Sequence, residues 1–119
     1  MNIENIKFKA KSLNSGKWIE GDLIRQSNGI YIRRHKNLSV IVDASTVCQF
    51  TGLKDCKGNE IWEHDLIHFV GYKPIGEVIW SEEDCAFMAV CENKHSYWLH
   101  DVIKVCRIER IGNKFDKKK

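Results

Sequence analysis

Thiol and imidazole groups are the first candidates for chemistry in this chain, which has five cysteines and five histidines. Several of them fall within one stretch: Cys85, Cys91, His95, His100 and Cys106. A structural zinc site normally contains two cysteines about two to four residues apart, whereas the gaps here are wider and no C-x-x-C occurs. Cysteine in a strand usually acts as a small buried hydrophobe. We therefore predict no metal site and no cofactor.

Carboxylates form two further groups. Residues 81–84 read SEED and could hold a hard cation or transfer protons, but a cluster between two strands is typical of a solvated turn.

Glu63 and Asp65 flank His64. They are either an exposed carboxylate pair or a turn that Asp65 locks by accepting backbone hydrogen bonds, which is the interpretation we prefer. In that case Asp65→Ala lowers stability by about 1–2 kcal/mol.

Nucleophilic catalysis has no distinct signature in this sequence. No G-x-S-x-G elbow and no phosphate-binding loop occur. The many cysteines and histidines single out no particular Cys–His pair. We therefore predict no catalytic residues and a protein that is not an enzyme.

The elements that must position these groups are short strands, because apolar and polar residues alternate along much of the chain. One helical turn is predicted near residues 99–103, with Asp101 near its start. Many short strands at regular turn spacing predict a small barrel or sandwich. The predicted strands are residues 7–10, 18–24, 30–34, 39–42, 49–53, 60–62, 66–70, 76–80, 86–91, 96–99 and 105–111.

Two turns carry clear signals. Asn28-Gly29 predicts a hairpin, because this dipeptide tolerates the positive φ of a type I′ turn. Asp55 and Gly58 occupy the first and fourth positions of a predicted type I turn. In addition, residues 19–24 match residues 62–67 at four of six positions. Either one turn is used twice in two related β-units, or this short match is a coincidence.

Most large aromatic side chains are expected in the core, because a small β-domain needs them to bury enough area. Tyr72 is the expected exception. It shares a loop with Lys73 and Pro74, and we predict that this loop is exposed and contacts a ligand. The side chains expected mainly in the core are Trp18, Phe50, Trp62, Phe69, Trp80, Phe87, Tyr97 and Trp98.

Positive charge is modest, at +3. The candidates for phosphate contacts in a nucleic-acid-binding protein are an internal run and the C-terminal residues. For the internal run we prefer the interpretation as a solvated hairpin edge, where charge prevents aggregation. The candidate residues are Arg33, Arg34, Lys36, Lys117, Lys118 and Lys119.

The composition is typical of a folded protein, since 43% hydrophobic residues argue against global disorder. An odd number of cysteines predicts reduced thiols. The N-terminus has no apolar run of signal length, and no stretch reaches the length of a membrane helix. These features predict a cytosolic protein without a membrane partner.

Residues 43–67, DASTVCQFTGLKDCKGNEIWEHDLI, resemble a run in the YopX family of phage and prophage proteins, D-x-x-T-V-G-Q-[FY]-T-G-L-x-D-x-x-G-x-E-I-[YF]-E-G-D-I. The similarity extends to residues 7–10, 17–18 and Gly21, and to residues 76–80 and 111–113. The resemblance implies a mostly β fold with an SH3-like barrel in the C-terminal half. It also implies a phage or prophage origin, but no activity and no catalytic residues.

Two positions depart from the family pattern, because Cys48 and His64 stand where glycine is usual. A glycine at position 64 indicates a backbone with positive φ, a region that histidine enters more readily than most residues. We predict His64 in a left-handed turn, with strain of about 1 kcal/mol or less. His64→Gly should then leave stability equal or improved. Cys48 is expected in a strand with ordinary backbone angles.

The sequence therefore predicts an all-β (mainly) protein. Residues 1–44 form a smaller N-terminal β-meander packed on an SH3-like barrel at residues 45–113, and residues 114–119 form a frayed basic tail. The leading hypothesis is a non-enzymatic binding or assembly module that acts on a phage or host macromolecule in the bacterial cytosol. The alternative is a nucleic-acid-binding β-barrel, and a homo-oligomer is left open. The predicted structural turn residues are Asp55, Gly58, Glu63, His64 and Asp65.

Overall fold

The chain divides into two structural units, Met1–Phe50 and Thr51–Lys119. The computed structural model describes residues 2–116. One strand, Cys48–Lys54, runs across the division. The sequence-based boundary between residues 44 and 45 stays a prediction.

The first unit is an antiparallel meander. Its strands are β1 (Phe8–Lys11), β2 (Trp18–Gln26), β3 (Gly29–His35), β4 (Leu38–Val42) and the first residues of β5 (Cys48–Lys54). Their order in the sheet is β4-β3-β2-β1-β5. Short 3₁₀ turns occupy Ile3–Asn5 and Ala44–Thr46. Asp43 caps the second turn, because its carboxylate accepts a hydrogen bond from the Ser45 N–H at 3.0 Å.

Side-chain alternation builds the core of the first unit. Ala10 and Ile32 are fully buried and Val42 is nearly so. The register places Leu23 opposite Ile32, and both belong to this core. Because alternate residues of a strand share one face, the apolar residues of the meander meet on one side of the sheet.

The second unit is also antiparallel and contains one α-helix among its described residues. The elements are β6 (Glu60–Trp62), β7 (Asp65–Phe69), β8 (Ile75–Ser81), β9 (Ala86–Cys91), β10 (Ser96–Trp98), α1 (Leu99–Val105) and β11 (Ile108–Asn113). Five of these strands form a sheet in the order β10-β9-β8-β7-β11, and β6 neighbours β5.

The core of the second unit combines strands with one face of the helix. β7 buries every second residue, at Asp65, Ile67 and Phe69. Leu99 and Val102 lie one turn apart on α1 and are both buried, so the helix packs with a single apolar face. In the part of the chain that the structure describes, no helix is long and apolar enough to span a membrane.

The prediction of a mainly β protein is confirmed, and every predicted strand is present. The last strand starts at Ile108 and not at residue 105, because Val105 ends the helix. The SH3-like barrel is not confirmed. β10 and β11 stand at opposite edges of the sheet, and in residues 2–116 no pairing between them closes it.

The Asn28-Gly29 hairpin is confirmed, with Gln26 paired to Gly29, but its turn differs from the prediction. Gly29 has a φ of 149°. Among residues 2–116, the non-glycine residues with positive φ are His64, Cys85 and Lys94. Asn28 therefore does not adopt the type I′ conformation.

The sequence match between residues 19–24 and 62–67 does not mark a repeated turn. Residues 19–24 lie inside the continuous strand β2, whereas residues 62–67 change direction between β6 and β7. At the equivalent positions, Gly21 has a φ of 157° and His64 has a φ of 70°. Because the backbones differ, the interpretation as an internal repeat is wrong.

Candidate binding groove

An open groove of about 570 Å³ lies in the second unit. Several segments line it, and three of them carry its exposed apolar residues. The loop between β7 and β8 contributes Tyr72 and Pro74, β10 contributes Tyr97 and Trp98, and α1 contributes Val105. We call this feature the aromatic groove.

Large apolar side chains are exposed along the aromatic groove. Tyr72 is 62% exposed, Trp98 is 49% exposed and Val105 is 81% exposed. Burying one such side chain contributes about 1.5–3 kcal/mol, so leaving several of them in water gives up stability. Contiguous exposed apolar surface of this kind marks interaction sites in soluble proteins.

The expectation that the large aromatic residues are mostly core is wrong at β10. Tyr97 and Trp98 are exposed, as is Trp80 on β8. The sequence contained a signal for this outcome, because consecutive residues on a strand point to opposite faces of the sheet. Tyr97 and Trp98 therefore could not both face one core. Their contribution to a site was missed at the sequence level, as was that of Val105.

Local structure positions the groove residues. The Tyr72 N–H donates a hydrogen bond to the Phe69 carbonyl oxygen at 2.9 Å, which turns the chain at the end of β7. The Tyr97 ring lies 5.9 Å from the Phe69 ring. Trp98 ends β10 and is also the N-cap residue of α1, and its indole stacks on His100 at 6.0 Å. The strand thus runs directly into the helix that carries Val105.

The polar part of the groove lining is small. Asp101 is the one charged residue that lines it in the described part of the chain, and its Oδ1 lies 3.5 Å from His100 Nε2. Cys91 and Cys106 also line the groove. Burial, together with the nearby charge of Glu92, raises the pKa of the Cys91 thiol. A thiol with a raised pKa is a weaker nucleophile at neutral pH, because less thiolate is present.

The structure brings part of the predicted ligand loop into the groove. Tyr72 and Pro74 line it, and Lys73 between them is exposed. Their contact with a ligand stays a prediction. What the sequence did not indicate is that this loop, β10 and α1 lie next to one another.

Three of the residues predicted to contact phosphate lie in the first unit, and they do not line the aromatic groove. Arg33 and Arg34 are exposed on β3, and Lys36 is exposed in the turn that follows. The register sets Asp22 opposite Arg33, which places an acidic residue beside this basic run. Lys117, Lys118 and Lys119 lie outside the described residues. A nucleic-acid contact of these residues stays a prediction.

Asp55 and Gly58 form a turn. The Gly58 N–H donates to the Asp55 carbonyl oxygen at 3.1 Å. The Asp55 carboxylate accepts hydrogen bonds from the N–H groups of Lys57, Asn59 and Arg110, at 2.8–2.9 Å, and from the Asn59 side chain at 3.2 Å. Burial acts to raise the pKa of Asp55, but these hydrogen bonds outweigh it and lower the pKa below its ordinary value.

Asp65 is fully buried in a side-chain network. Its Oδ2 accepts hydrogen bonds from the Trp62 N–H at 2.6 Å and from Arg110 Nε at 2.9 Å. Its Oδ1 accepts one from Asn113 Nδ2 at 2.9 Å. The carboxylate therefore links the turn to β11, a wider role than the predicted bond to the local backbone, and it is not an exposed catalytic group.

His64 occupies the predicted left-handed conformation, with a φ of 70°. Its Nδ1 lies 3.0 Å from Glu77 Oε2, and its ring packs edge-on against Phe115 at 5.2 Å. The Lys114 N–H donates to the His64 carbonyl oxygen at 2.9 Å. Residues 114 and 115, predicted to belong to a frayed tail, are thus in contact with this turn.

Cysteine, histidine and carboxylate side chains are the metal-ligating groups of this chain. Across residues 2–116, no group of three or more of these side chains has a geometry that could hold a metal ion. All five cysteines are free thiols, and Cys56 and Cys85 are exposed. The groove thus offers apolar contact, hydrogen bonds and a single negative charge.

Taken together, the fold and the groove define a small, mainly β protein that presents an exposed aromatic surface in its second unit. The family model described as YopX protein matches residues 1–118. The chain therefore belongs to the YopX family, and the resemblance inferred from residues 43–67 is confirmed. A comparison with curated proteins found no match.

Proposed function

We propose that this protein is a non-enzymatic binding module that engages a phage or host protein through the aromatic groove. The observation that carries the proposal is the clustering of Tyr72, Trp98 and Val105, all strongly exposed, in one concave site. Aromatic side chains are enriched at interfaces because they bury a large area at a low cost in conformational entropy.

The composition of the groove favours binding over catalysis. Catalysis by side chains normally uses several polar groups that converge on one point of a pocket. Of the two thiols in the groove, Cys91 has a raised pKa and is buried. Asp101 is exposed next to His100 at the rim. These features suit recognition of a partner with an apolar surface.

Membership of the YopX family extends the proposal to where the protein acts and to the fold of its second unit. A YopX protein of phage or prophage origin would act in the cytosol of a bacterial host. The open sheet of the second unit would correspond to an SH3-like barrel, a fold that presents aromatic residues between loops. Binding through this surface would then assemble the protein with a phage or host macromolecule.

Affinity capture with a groove variant and a matched surface control tests the proposal. Val105→Lys places a charge in the groove and also sets Lys four residues after Asp101, a favourable spacing within a helix. Ile111→Lys makes the same change at an exposed residue of β11 that does not line the groove. Both variants should fold, which circular dichroism and thermal melting would establish.

The expected result is a set of proteins captured from bacterial lysate by the wild type and by Ile111→Lys, and lost with Val105→Lys. The capture should resist nuclease treatment. If Val105→Lys retains the same proteins, the groove is not the binding surface. If nuclease removes every captured protein, the nucleic-acid-binding alternative replaces this proposal.

A further inference from the structure

The two edges of the five-stranded sheet in the second unit differ. The turn at residues 55–58 covers β11, since the Cys56 N–H donates to the Ile108 carbonyl oxygen and the Arg110 N–H donates to Asp55 Oδ2, both at 2.9 Å. β10 pairs with β9 on one side, and all three of its residues are exposed. Within residues 2–116, no strand pairs with its other side.

The register indicates which main-chain groups of β10 point away from β9. The Cys91 N–H donates to the His95 carbonyl oxygen at 2.8 Å, and Ser96 lies opposite Val90. Along an antiparallel pair, residues that bond the neighbouring strand alternate with residues whose N–H and C=O groups point outward. His95 bonds β9, so Ser96 turns its N–H and C=O toward the free side and Trp98 turns its N–H there. The Trp98 C=O belongs to the first turn of α1, because Trp98 is the N-cap residue of the helix.

The aromatic groove lies at this same edge. Tyr97 and Trp98 both line it, although consecutive strand residues point to opposite faces. The groove therefore spans the edge of the sheet instead of occupying one face. An unpaired strand edge beside apolar surface suits an extended polypeptide, whose backbone pairs with the edge while its side chains fill the groove.

We propose that the groove binds an extended segment of a partner protein, which adds to the sheet as a strand alongside β10. Apolar side chains from both faces of the segment contact Tyr72, Tyr97 and Trp98, because Tyr97 and Trp98 point to opposite faces of the sheet. Asp101 is the charged residue of the lining in the described chain, so the segment carries a lysine or arginine that pairs with it. This inference rests on the proposed function and adds the binding mode and the chemistry of the partner.

The experiment uses random peptides of about twelve residues, selected for binding to the full-length protein and then synthesised. The selected peptides should carry apolar residues at adjacent positions, one for each face of the strand, and contain a basic residue. Single amide N-methylation along one such peptide then tests the strand. Methyl groups on alternate amides should weaken binding by about tenfold, because each removes a hydrogen bond and obstructs pairing, and the intervening positions should be tolerated.

The charge is tested with Asp101→Asn. This variant should weaken binding of the basic peptide by about threefold, the size expected for an exposed ion pair. It should leave unchanged the affinity of a peptide in which norleucine replaces the basic residue. Ile111→Lys serves as the control and should bind both peptides like the wild type.

The outcomes separate this inference from the proposed function. If the selected peptides lose affinity for Val105→Lys, but N-methylation does not weaken binding at every second position, strand addition is wrong and binding in the groove stands. Peptides that bind Val105→Lys as tightly as the wild type would contradict both. Failure to select any peptide above background would also overturn the inference, because an open edge beside an apolar groove should accept many extended sequences.

Discussion

The carboxylate of Asp65 and the guanidinium of Arg110 form a 2.9 Å ion pair in which Asp65 is fully buried and Arg110 is 28% exposed. Asp65 begins β7 and Arg110 lies on β11, which pair as neighbours in the sheet. With Trp62 and Asn113 donating to the same carboxylate, three donors from β6 and β11 bond to one acceptor.

We expect Asp65→Ala to destabilise the protein by about 3 kcal/mol, because it removes the buried carboxylate that pairs with Arg110 and accepts two further hydrogen bonds. This exceeds the loss expected from the sequence, where bonds to the local backbone alone were considered. Urea unfolding at neutral pH measures the effect. Asp101→Asn, an exposed change, should stay within about 0.5 kcal/mol of the wild type. Equal midpoints for Asp65→Ala and the wild type would contradict this account of the network.

At His64, the backbone and the side chain have opposite effects on stability. His64→Gly relieves the left-handed strain of about 1 kcal/mol but removes the contacts with Glu77 and Phe115. We therefore expect a net change within about 1 kcal/mol of zero. His64→Ala loses the same contacts and keeps the strain, so thermal melting should find it less stable than His64→Gly. The reverse order would show that the strain is absent.

Asp55 should make stability depend on pH in the acid range. Its pKa is lowered in the folded protein from the ordinary value of 3.8. The ionised form therefore stabilises the fold above that value, and the contribution is lost as the pH falls through the folded pKa. We expect the urea concentration at half-unfolding to decrease as the pH is lowered beyond about 5. In Asp55→Asn this concentration should depend less on pH in the acid range, and the variant should be less stable at neutral pH. Identical pH slopes for Asp55→Asn and the wild type would refute the assignment.

The thiols should differ sharply in reactivity. Cys56 and Cys85 are exposed, whereas Cys91 is buried and its pKa is raised, so little thiolate is present there at neutral pH. Iodoacetamide followed by peptide mass spectrometry should label Cys56 and Cys85 first. Cys91 should be modified only after unfolding in urea. Rapid labelling of Cys91 in the native protein would show that the groove opens more than the structure indicates.

Gly21 is required because two backbones approach closely. A Cβ at this position would lie 2.1 Å from the Arg33 carbonyl oxygen, which cannot move without shifting β3. We expect Gly21→Ala to lose about 2–3 kcal/mol, at the upper end of overpacking. Gly52→Ala is the control, because it also has positive φ but open space around the added Cβ. It should lose about 1 kcal/mol, and an equal loss at both positions would mean that the close approach is unimportant.

The sequence by itself determined the elements of this protein. Period-two alternation, a β-branched run and turn signals predicted the strands, although the last one was placed three residues early at its start. The residues around Leu99 predicted the helix, and the glycine that the YopX pattern has at position 64 predicted the left-handed turn. Residues 43–67 also identified the family. These features are local, because each depends on the backbone preferences and side-chain spacing of a few neighbouring residues.

Only the tertiary structure decided what the elements do together. It placed Tyr72, Trp98 and Val105 in one groove, although they lie on a loop, a strand and a helix. It also brought Arg110 to Asp65 and left the β10 edge free, and it showed that matching residues at 19–24 and 62–67 adopt different backbones. Strand order and burial depend on contacts between distant residues, which the alternation within one strand does not specify.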